Sequence, residues 1–232
     1  MTVDRGLVYR SDPSRLLDLF RPAGDHEARR PAIVWVHGGG FSAGDRGASI
    51  VPFPDSFARS GYVVASIDYD TTVAQPCVSE PHLRQDCRDA FDSAVADGQQ
   101  AVRWLKRNAG AYGIDPDRVA IAGESAGGIT AAGVGTRSTD AASSVRAWIS
   151  ISGGLDGVGD VDAKDAPALL FANTDDPYVP FAWSADVESA LRRAGVTVQL
   201  VAIDGVGHVP ADHIDQFVSQ SRDFLRRELD LD

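Results

Sequence analysis

Residues 118–135, RVAIAGESAGGITAAGVG, decide the fold. A short apolar run, 118–122, has the character of a buried strand, and from 125 to 135 small and apolar residues continue at a spacing that suits a helix. Between them stands Gly123-Glu124-Ser125-Ala126-Gly127. A strand that passes into a helix within a few residues must turn sharply, and a side chain at either glycine would clash in such a turn. The serine at the apex is held in a strained backbone conformation with its Oγ projecting from the carboxyl end of the strand. The helix N-terminus behind it favours negative charge developing there. G-x-S-x-G in a strand-turn-helix setting reads as a nucleophile elbow.

Working outward, the chain alternates short apolar runs with longer helix-like stretches, the pattern of a parallel sheet covered by helices. Strands are predicted over 32–37, 62–68, 118–122, 147–151, 168–172 and 197–203, several apolar on both faces as central strands are. Helices are predicted over 54–60, 83–110 with a break, 125–135, 181–194 and 211–228. Gly113-Ile114-Asp115-Pro116 and Ala194-Gly195 mark helix ends, and 152–165 and 69–81 read as irregular connections, the second near the mouth of a pocket. No linker divides the 232 residues, so one domain over 1–232 is expected.

A second glycine-rich motif, His37-Gly38-Gly39-Gly40-Phe41, follows the 32–37 strand. Its bare backbone can approach a ligand oxygen, and the amides of Gly39, Gly40 and Ala126 are the expected donors to an oxyanion. A serine nucleophile needs a base. Of five histidines, His208 in Gly205-Val206-Gly207-His208-Val209-Pro210 follows the last strand and can reach back over the sheet edge. His37 reads as structural, His26 and His213 as solvated, and His82 as part of the mouth loop. The carboxylate that orients the base should lie between nucleophile and base in the chain. Asp175 and Asp176, directly after the 168–172 strand, are the candidates at a carboxyl end.

Composition narrows the partners. The chain is 44% hydrophobic and 24% charged, with 33 acidic against 22 basic side chains and a net charge of -11, so a phosphate backbone is repelled on average and nucleic acid is excluded. No apolar run approaches the roughly 20 residues of a membrane span, and no polybasic cluster points to a membrane surface. The first 20 residues have no apolar h-region, which leads to an expectation of a cytoplasmic protein, with export through a removed leader as the alternative. Cys77 and Cys87 are the only cysteines. They form either a disulfide across the mouth loop or two inert thiols. No metal and no cofactor are expected.

These motifs resemble the α/β-hydrolases of the carboxylesterase and hormone-sensitive-lipase-like group. The likeness covers nearly the whole chain. It includes H-G-G-G-F, G-E-S-A-G, and the stretch 101–128 with Val102, Trp104, Leu105, Asn108, Gly113, Asp115, Pro116 and Arg118. Residues 15–22, RLLDLFRP, resemble that group's N-terminal strand. The resemblance implies that Asp176, in Asp176-Pro177-Tyr178-Val179, is the triad acid. The chain departs from the group in having no evident N-terminal helical cap and a divergent loop after Tyr69, and so is similar to the compact bacterial feruloyl or acetyl esterase type.

The reading is therefore an α/β-hydrolase fold with a mostly parallel central sheet, helices on both faces and little or no cap. Its expected activity is that of a serine carboxylesterase acting on small, soluble esters through an acyl-enzyme, with Ser125, His208 and Asp176 as the triad. Phe41, Tyr178, Phe181 and Trp183 are candidate pocket walls. An aryl formamidase, a lactonase, a biosynthetic thioesterase or cyclase, and a non-catalytic binding protein of the same fold are the alternatives. The partner is a small-molecule ester.

Overall fold

A computed structural model describes residues 1–12, 14–24, 29–77, 84–138 and 140–231. In chain order the elements are β1 (Thr2–Val8), β2 (Leu16–Arg21), β3 (Arg30–Val36), α1 (Phe53–Arg59), β4 (Val63–Ile67), α2 (Gln85–Arg107), α3 (Ala109–Tyr112), β5 (Ile114–Glu124), α4 (Ala126–Arg137), β6 (Ala147–Ile151), β7 (Ala168–Asp175), α5 (Phe181–Ala194), β8 (Val198–Val206), a 3-10 turn (Ala211–His213) and α6 (Ile214–Glu228). The strands form one sheet in the order β1-β2-β4-β3-β5-β6-β7-β8. From β4 to β8 all neighbours are parallel, and β1 and β2 extend the edge antiparallel.

The sheet is a two-sided core because its strands are apolar on both faces. Ala32, Val34 and Val36 of β3 face one cluster with Trp148, Trp104, Ile129 and Val134, which α2, α4 and α5 cover. Ile33 and Trp35 face the other, where Phe53 and Phe57 of α1 and Phe217 and Phe224 of α6 pack. Trp35, Phe53 and Phe57 stack in series, with ring centroids 4.5 and 4.0 Å apart. All the named aromatic rings of this second face are fully buried or nearly so, each contributing about 2–3 kcal/mol of apolar transfer on the usual area scale.

The expected alternation holds, with longer strands than the apolar runs suggested. β5 begins at Ile114 and β7 runs on to Asp175, since backbone pairing continues where the side chains turn polar. The helix expected over 83–110 breaks at Asn108, and Gly113 (φ 67°) and Gly195 (φ 79°) close α3 and α5 in the left-handed conformation. Leu83 and part of the mouth loop, 78–82, lie outside the described residues.

β1 carries no apolar alternation and was not expected. It is an edge strand carrying Asp4, Arg5 and Gly6, held to its neighbour by the Asp4–Arg21 and Arg5–Asp18 ion pairs at 2.6 and 2.7 Å. Among the described residues no helical cap is inserted between strands, and no helix is long and apolar enough to cross a membrane.

The irregular connection between β6 and β7 carries Asp160, Asp162 and Asp165. Burial, followed by the nearby charges of Asp162 and Asp160, outweighs the hydrogen bond from the Asp162 amide and pushes the Asp165 carboxyl up to about 6. The folded chain then holds this proton longer than the unfolded one, so stability falls as pH rises from about 4 to about 6 and is level above that. Asp165→Asn keeps an acceptor for the Asp162 amide and removes the charge. It is expected to stabilise the protein near pH 7.5 by about 1 kcal/mol, screening at this half-buried site being allowed for. The gain should fade below pH 4, and calorimetry showing the same gain at both ends of that range would refute it.

Candidate active site

The turn between β5 and α4 is built from missing side chains. A Cβ on Gly123 would stand 2.3 Å from the Gly127 carbonyl oxygen, and one on Gly127 would stand 2.0 Å from that of Val36. Glycine is required at both positions because the first turn of α4 lies directly on the end of β3. Ser125 takes the strain, with φ 55° and ψ -123°, and its amide is held by the Ile151 carbonyl at 2.8 Å. Ser125 lies outside the helix as its cap, so the helix starts at Ala126, one residue later than expected from the sequence.

The serine, histidine and aspartate candidates meet at the carboxyl ends of β5, β7 and β8. Ser125 Oγ lies 2.8 Å from His208 Nε2, and His208 Nδ1 lies 2.8 Å from Asp176 Oδ2. The Asp176 side chain is 2% exposed and that of His208 14%. The other Asp176 oxygen accepts the amides of Tyr178 and Val179 at 2.8 and 3.0 Å, so the Asp-Pro-Tyr-Val turn aims the carboxylate. Asp175 is exposed at the end of β7, paired through its backbone with Val206, and does not hold that turn.

The loop of His208 has its own anchors. The Thr174 hydroxyl accepts the Gly205 amide at 3.0 Å, and the Ser152 hydroxyl accepts the Val209 amide at 3.0 Å. His213 pairs with Asp212 in the turn before α6, and His26 and His82 lie outside the described residues.

The triple-glycine loop is packed against the serine, a Cβ on Gly38 reaching 3.2 Å from that of Ser125. Among the described residues the amides of Gly39, Gly40 and Ala126 donate no backbone hydrogen bond. They remain free for a substrate oxygen. His37 is buried, its ring 4.4 Å from that of Tyr69 and its Nδ1 2.6 Å from the Gly38 carbonyl, and burial pushes its pKa down. The Tyr69 hydroxyl in turn donates to the His37 carbonyl at 3.0 Å.

Of the candidate pocket walls, Tyr178 is exposed with its ring edge-on to His208 at 5.1 Å, and Phe181 is half-buried. Phe41 corrects its expected place: its ring is fully buried against Tyr69, because a positive φ of 60° turns the side chain into the core. Trp183 is likewise buried, 6% exposed.

Sequence reasoning missed Glu124, the variable residue inside G-x-S-x-G. It is 2% exposed and its two oxygens accept the amides of Ile50 and Val51 at 2.8 and 3.0 Å. Burial raises its pKa, against the opposing pull of those amides, of His208 and of the Gly38 amide. It thus ties the segment after the triple glycine to the elbow. Arg46 ties that same segment to the sheet instead, bridging Asp18 of β2 and Asp68 after β4 at 2.8 and 2.7 Å. The Cys77–Cys87 pair, left open by the sequence, is a disulfide joining the mouth loop to α2, and the Cys77 amide donates to the Gly40 carbonyl at 3.0 Å.

The model of the BD-FAE family, an α/β-hydrolase esterase family, matches residues 17–157. A probable isoprenylcysteine alpha-carbonyl methylesterase of Oryza sativa subsp. japonica is 26% identical over 89% of this chain and 57% of its own length. The esterase LipC of Mycobacterium tuberculosis is 29% identical over 59% of the chain and 30% of its own. The chain thus spans only part of the length of these relatives. Thermogutta terrifontis esterase 2, in its tabun-phosphoramylated form, superposes with a TM-score of 0.77 at 24% identity, over 97% of this chain and 94% of that one. A truncated carbohydrate esterase from gut microbiota superposes with a TM-score of 0.79 at 20% identity, over 99% and 96%. The shared α/β-hydrolase fold is therefore clear.

Two outcomes test the supports of the site. Glu124→Gln replaces one of two acceptors by a donor facing a backbone amide, which should cost about 1–3 kcal/mol and lower kcat more than it raises KM for a p-nitrophenyl ester. Unchanged kcat and melting temperature would remove Glu124 from the support of the loop. Paired Cys77→Ser and Cys87→Ser changes should lower stability by about 2–3 kcal/mol through the loss of a short closed loop, read from denaturant midpoints with and without reductant. Equal midpoints for parent and variant under oxidising conditions would contradict this.

Proposed function

The chain belongs to the BD-FAE family, and from that premise we propose that it is a serine carboxylesterase hydrolysing small, soluble carboxylic esters through an acyl-enzyme. The observation that carries the reading is the continuous hydrogen-bonded line from Ser125 Oγ through His208 to Asp176. In this mechanism Ser125 Oγ attacks the ester carbonyl carbon while its proton passes to His208 Nε2. The Nδ1–H of the imidazolium donates to Asp176, whose charge stabilises it. The carbonyl oxygen, now an oxyanion, is held by the amides of Gly39, Gly40 and Ala126.

Collapse of the tetrahedral intermediate breaks the bond to the alkoxy oxygen, which leaves as the alcohol with the proton from Nε2. Water then repeats the sequence on the acyl-enzyme: it gives a proton to His208 and releases the acid and free Ser125. Tyr178, exposed beside His208, is placed to meet the leaving alcohol. With no cap inserted between the described strands, little apolar surface is available for a long acyl chain, which favours short ones. Of the two locations the sequence leaves open, the disulfide favours an oxidising compartment.

Ser125→Ala should lower kcat for p-nitrophenyl acetate by at least about 10⁴-fold, and a fluorophosphonate should label the parent one to one at Ser125 and fail to label the variant. Turnover by the variant at the parental rate would end this mechanism, and absence of labelling in the parent would favour a binding protein. Formyl-amide, lactone and thioester substrates assayed beside acetyl esters decide among the acyl transfers, and faster turnover of any of them would replace the ester reading.

A further inference from the structure

Glycine ranges widely in backbone angle, whereas an amide stabilises an oxyanion only when it is aimed at the charge. Gly40, one of the expected donors, is held in a left-handed conformation, φ 60°. The peptide before it is fixed from within the loop, where the Gly39 carbonyl accepts the amides of Ser42 and Ala43 at 3.0 and 3.1 Å. In a planar trans peptide the Gly40 N–H points opposite to that carbonyl, so the same bonds set its line. The peptide after it is fixed from outside, where the Gly40 carbonyl accepts the Cys77 amide at 3.0 Å. Pro76 closes on the glycine itself, a Cβ on Gly40 standing 3.0 Å from that of Pro76. One residue on, the Phe41 carbonyl accepts the Val73 amide at 3.4 Å.

The segment that presses on Gly40 has little burial of its own, since residues 74–76 are exposed. Its other ties lead to the start of α2. Arg84 donates to the Gln75 carbonyl at 3.2 Å, an exposed contact that its guanidinium shares with Asp86. The disulfide joins Cys77, 6% exposed, to Cys87, 1% exposed in the first turn of α2. α2 is itself immobilised by Phe91, Val95 and Trp104 in the core. It lies against α4, a Cβ on Gly133 falling 2.5 Å from a Val95 methyl group. α4 is the helix that Ser125 caps. The bond therefore relates the outer support of Gly40 to the same packed helices that hold the serine.

We propose that the Cys77–Cys87 disulfide aims the Gly40 amide at the substrate oxyanion, with Cys77 and Pro76 as positioning residues. This rests on the carboxylesterase reading and adds to it the bond that keeps the oxyanion loop in shape. Without the bond, Gly40 regains the angular freedom of glycine and its amide is aimed away for part of the time. The full negative charge exists only near the transition state, so the loss falls on kcat and leaves KM nearly unchanged. Removing one oxyanion donor altogether costs about 10²- to 10³-fold in kcat, and loosening one costs less.

The test compares the parent with Cys77→Ser combined with Cys87→Ser on p-nitrophenyl acetate, at a temperature where circular dichroism shows both fully folded. A loss in kcat of about tenfold is expected, with KM within about twofold of the parent. A trifluoromethyl ketone, which adds to Ser125 and places its own oxyanion among the same amides, should bind about tenfold more weakly to the variant. Dithionitrobenzoate should find no free thiol in the denatured, air-purified parent. Parental kcat in the folded variant, a rise in KM in place of the loss in kcat, an unchanged ketone constant, or two free thiols in the parent would overturn the proposal. Should the double variant not fold, Pro76→Gly, an exposed change that keeps the disulfide, takes its place, with a loss in kcat of at least about threefold expected and parental kcat overturning the proposal. Any of these failures in a parent that hydrolyses the ester leaves the carboxylesterase reading standing. A parent that turns over no ester and takes no fluorophosphonate label ends both.

Discussion

The contact on which the site depends is the one between the first turn of α4 and the last residue of β3. With a Cβ at Gly127 falling 2.0 Å from the Val36 carbonyl oxygen, the two elements touch backbone to backbone. That closeness allows the strand-to-helix turn to be so tight, and the turn leaves Ser125 no conformation but a left-handed one, φ 55°. It also brings the triple-glycine loop, which leaves β3 at that point, beside the serine. The placement of Ser125 and of the glycine-loop amides beside it is thus a consequence of a single close approach. The strain at Ser125 is offset by the buried strands on either side, which the helix cannot leave without exposing Ile129 and Val134.

Around this fixed point the remaining groups arrive from far along the chain. His208 is 83 residues from Ser125 and 32 from Asp176. Parallel register of β5, β6, β7 and β8 carries the loops after them to one edge, and single hydroxyl or carboxylate acceptors then set each loop: Ser152 for Val209, Thr174 for Gly205, Asp176 for its own turn. Glu124 and Arg46 pin the loop on the far side of the serine. The carboxyl edge of the sheet uses the buried carboxylates of Glu124 and Asp176 as backbone acceptors.

Much of this was legible in the residues. The six parallel strands declare themselves because burial on both faces demands continuous apolar runs, and the elbow because only glycine tolerates the turn at 123 and 127. β1 was not legible, since an edge strand half in water needs no apolar alternation and is held by Asp4–Arg21 and Arg5–Asp18 pairs that link residues 13 to 17 positions apart. Glu124 occupies a motif position that carries no constraint of its own, and its partners, Ile50 and Val51, lie more than 70 residues away. Phe41 looked like a pocket wall by its position after three glycines. Its backbone angle, which no residue type announces, turned it inward.

The sequence by itself determined the class of fold and picked out the candidate serine, the glycine loop and the candidate histidine, because each depends on local rules: alternation and length of apolar runs, glycine where backbone must meet backbone, a histidine in the last strand-to-helix loop. Tertiary structure brought Asp176, the aspartate the resemblance implied, and not Asp175 to 2.8 Å from His208, joined Cys77 to Cys87, and set Glu124 against Ile50 and Val51. Those outcomes rest on distances between residues remote in the chain, which depend on how strands register and helices dock. Neighbouring aspartates are chemically identical until a sheet edge turns one toward the imidazole and the other toward water.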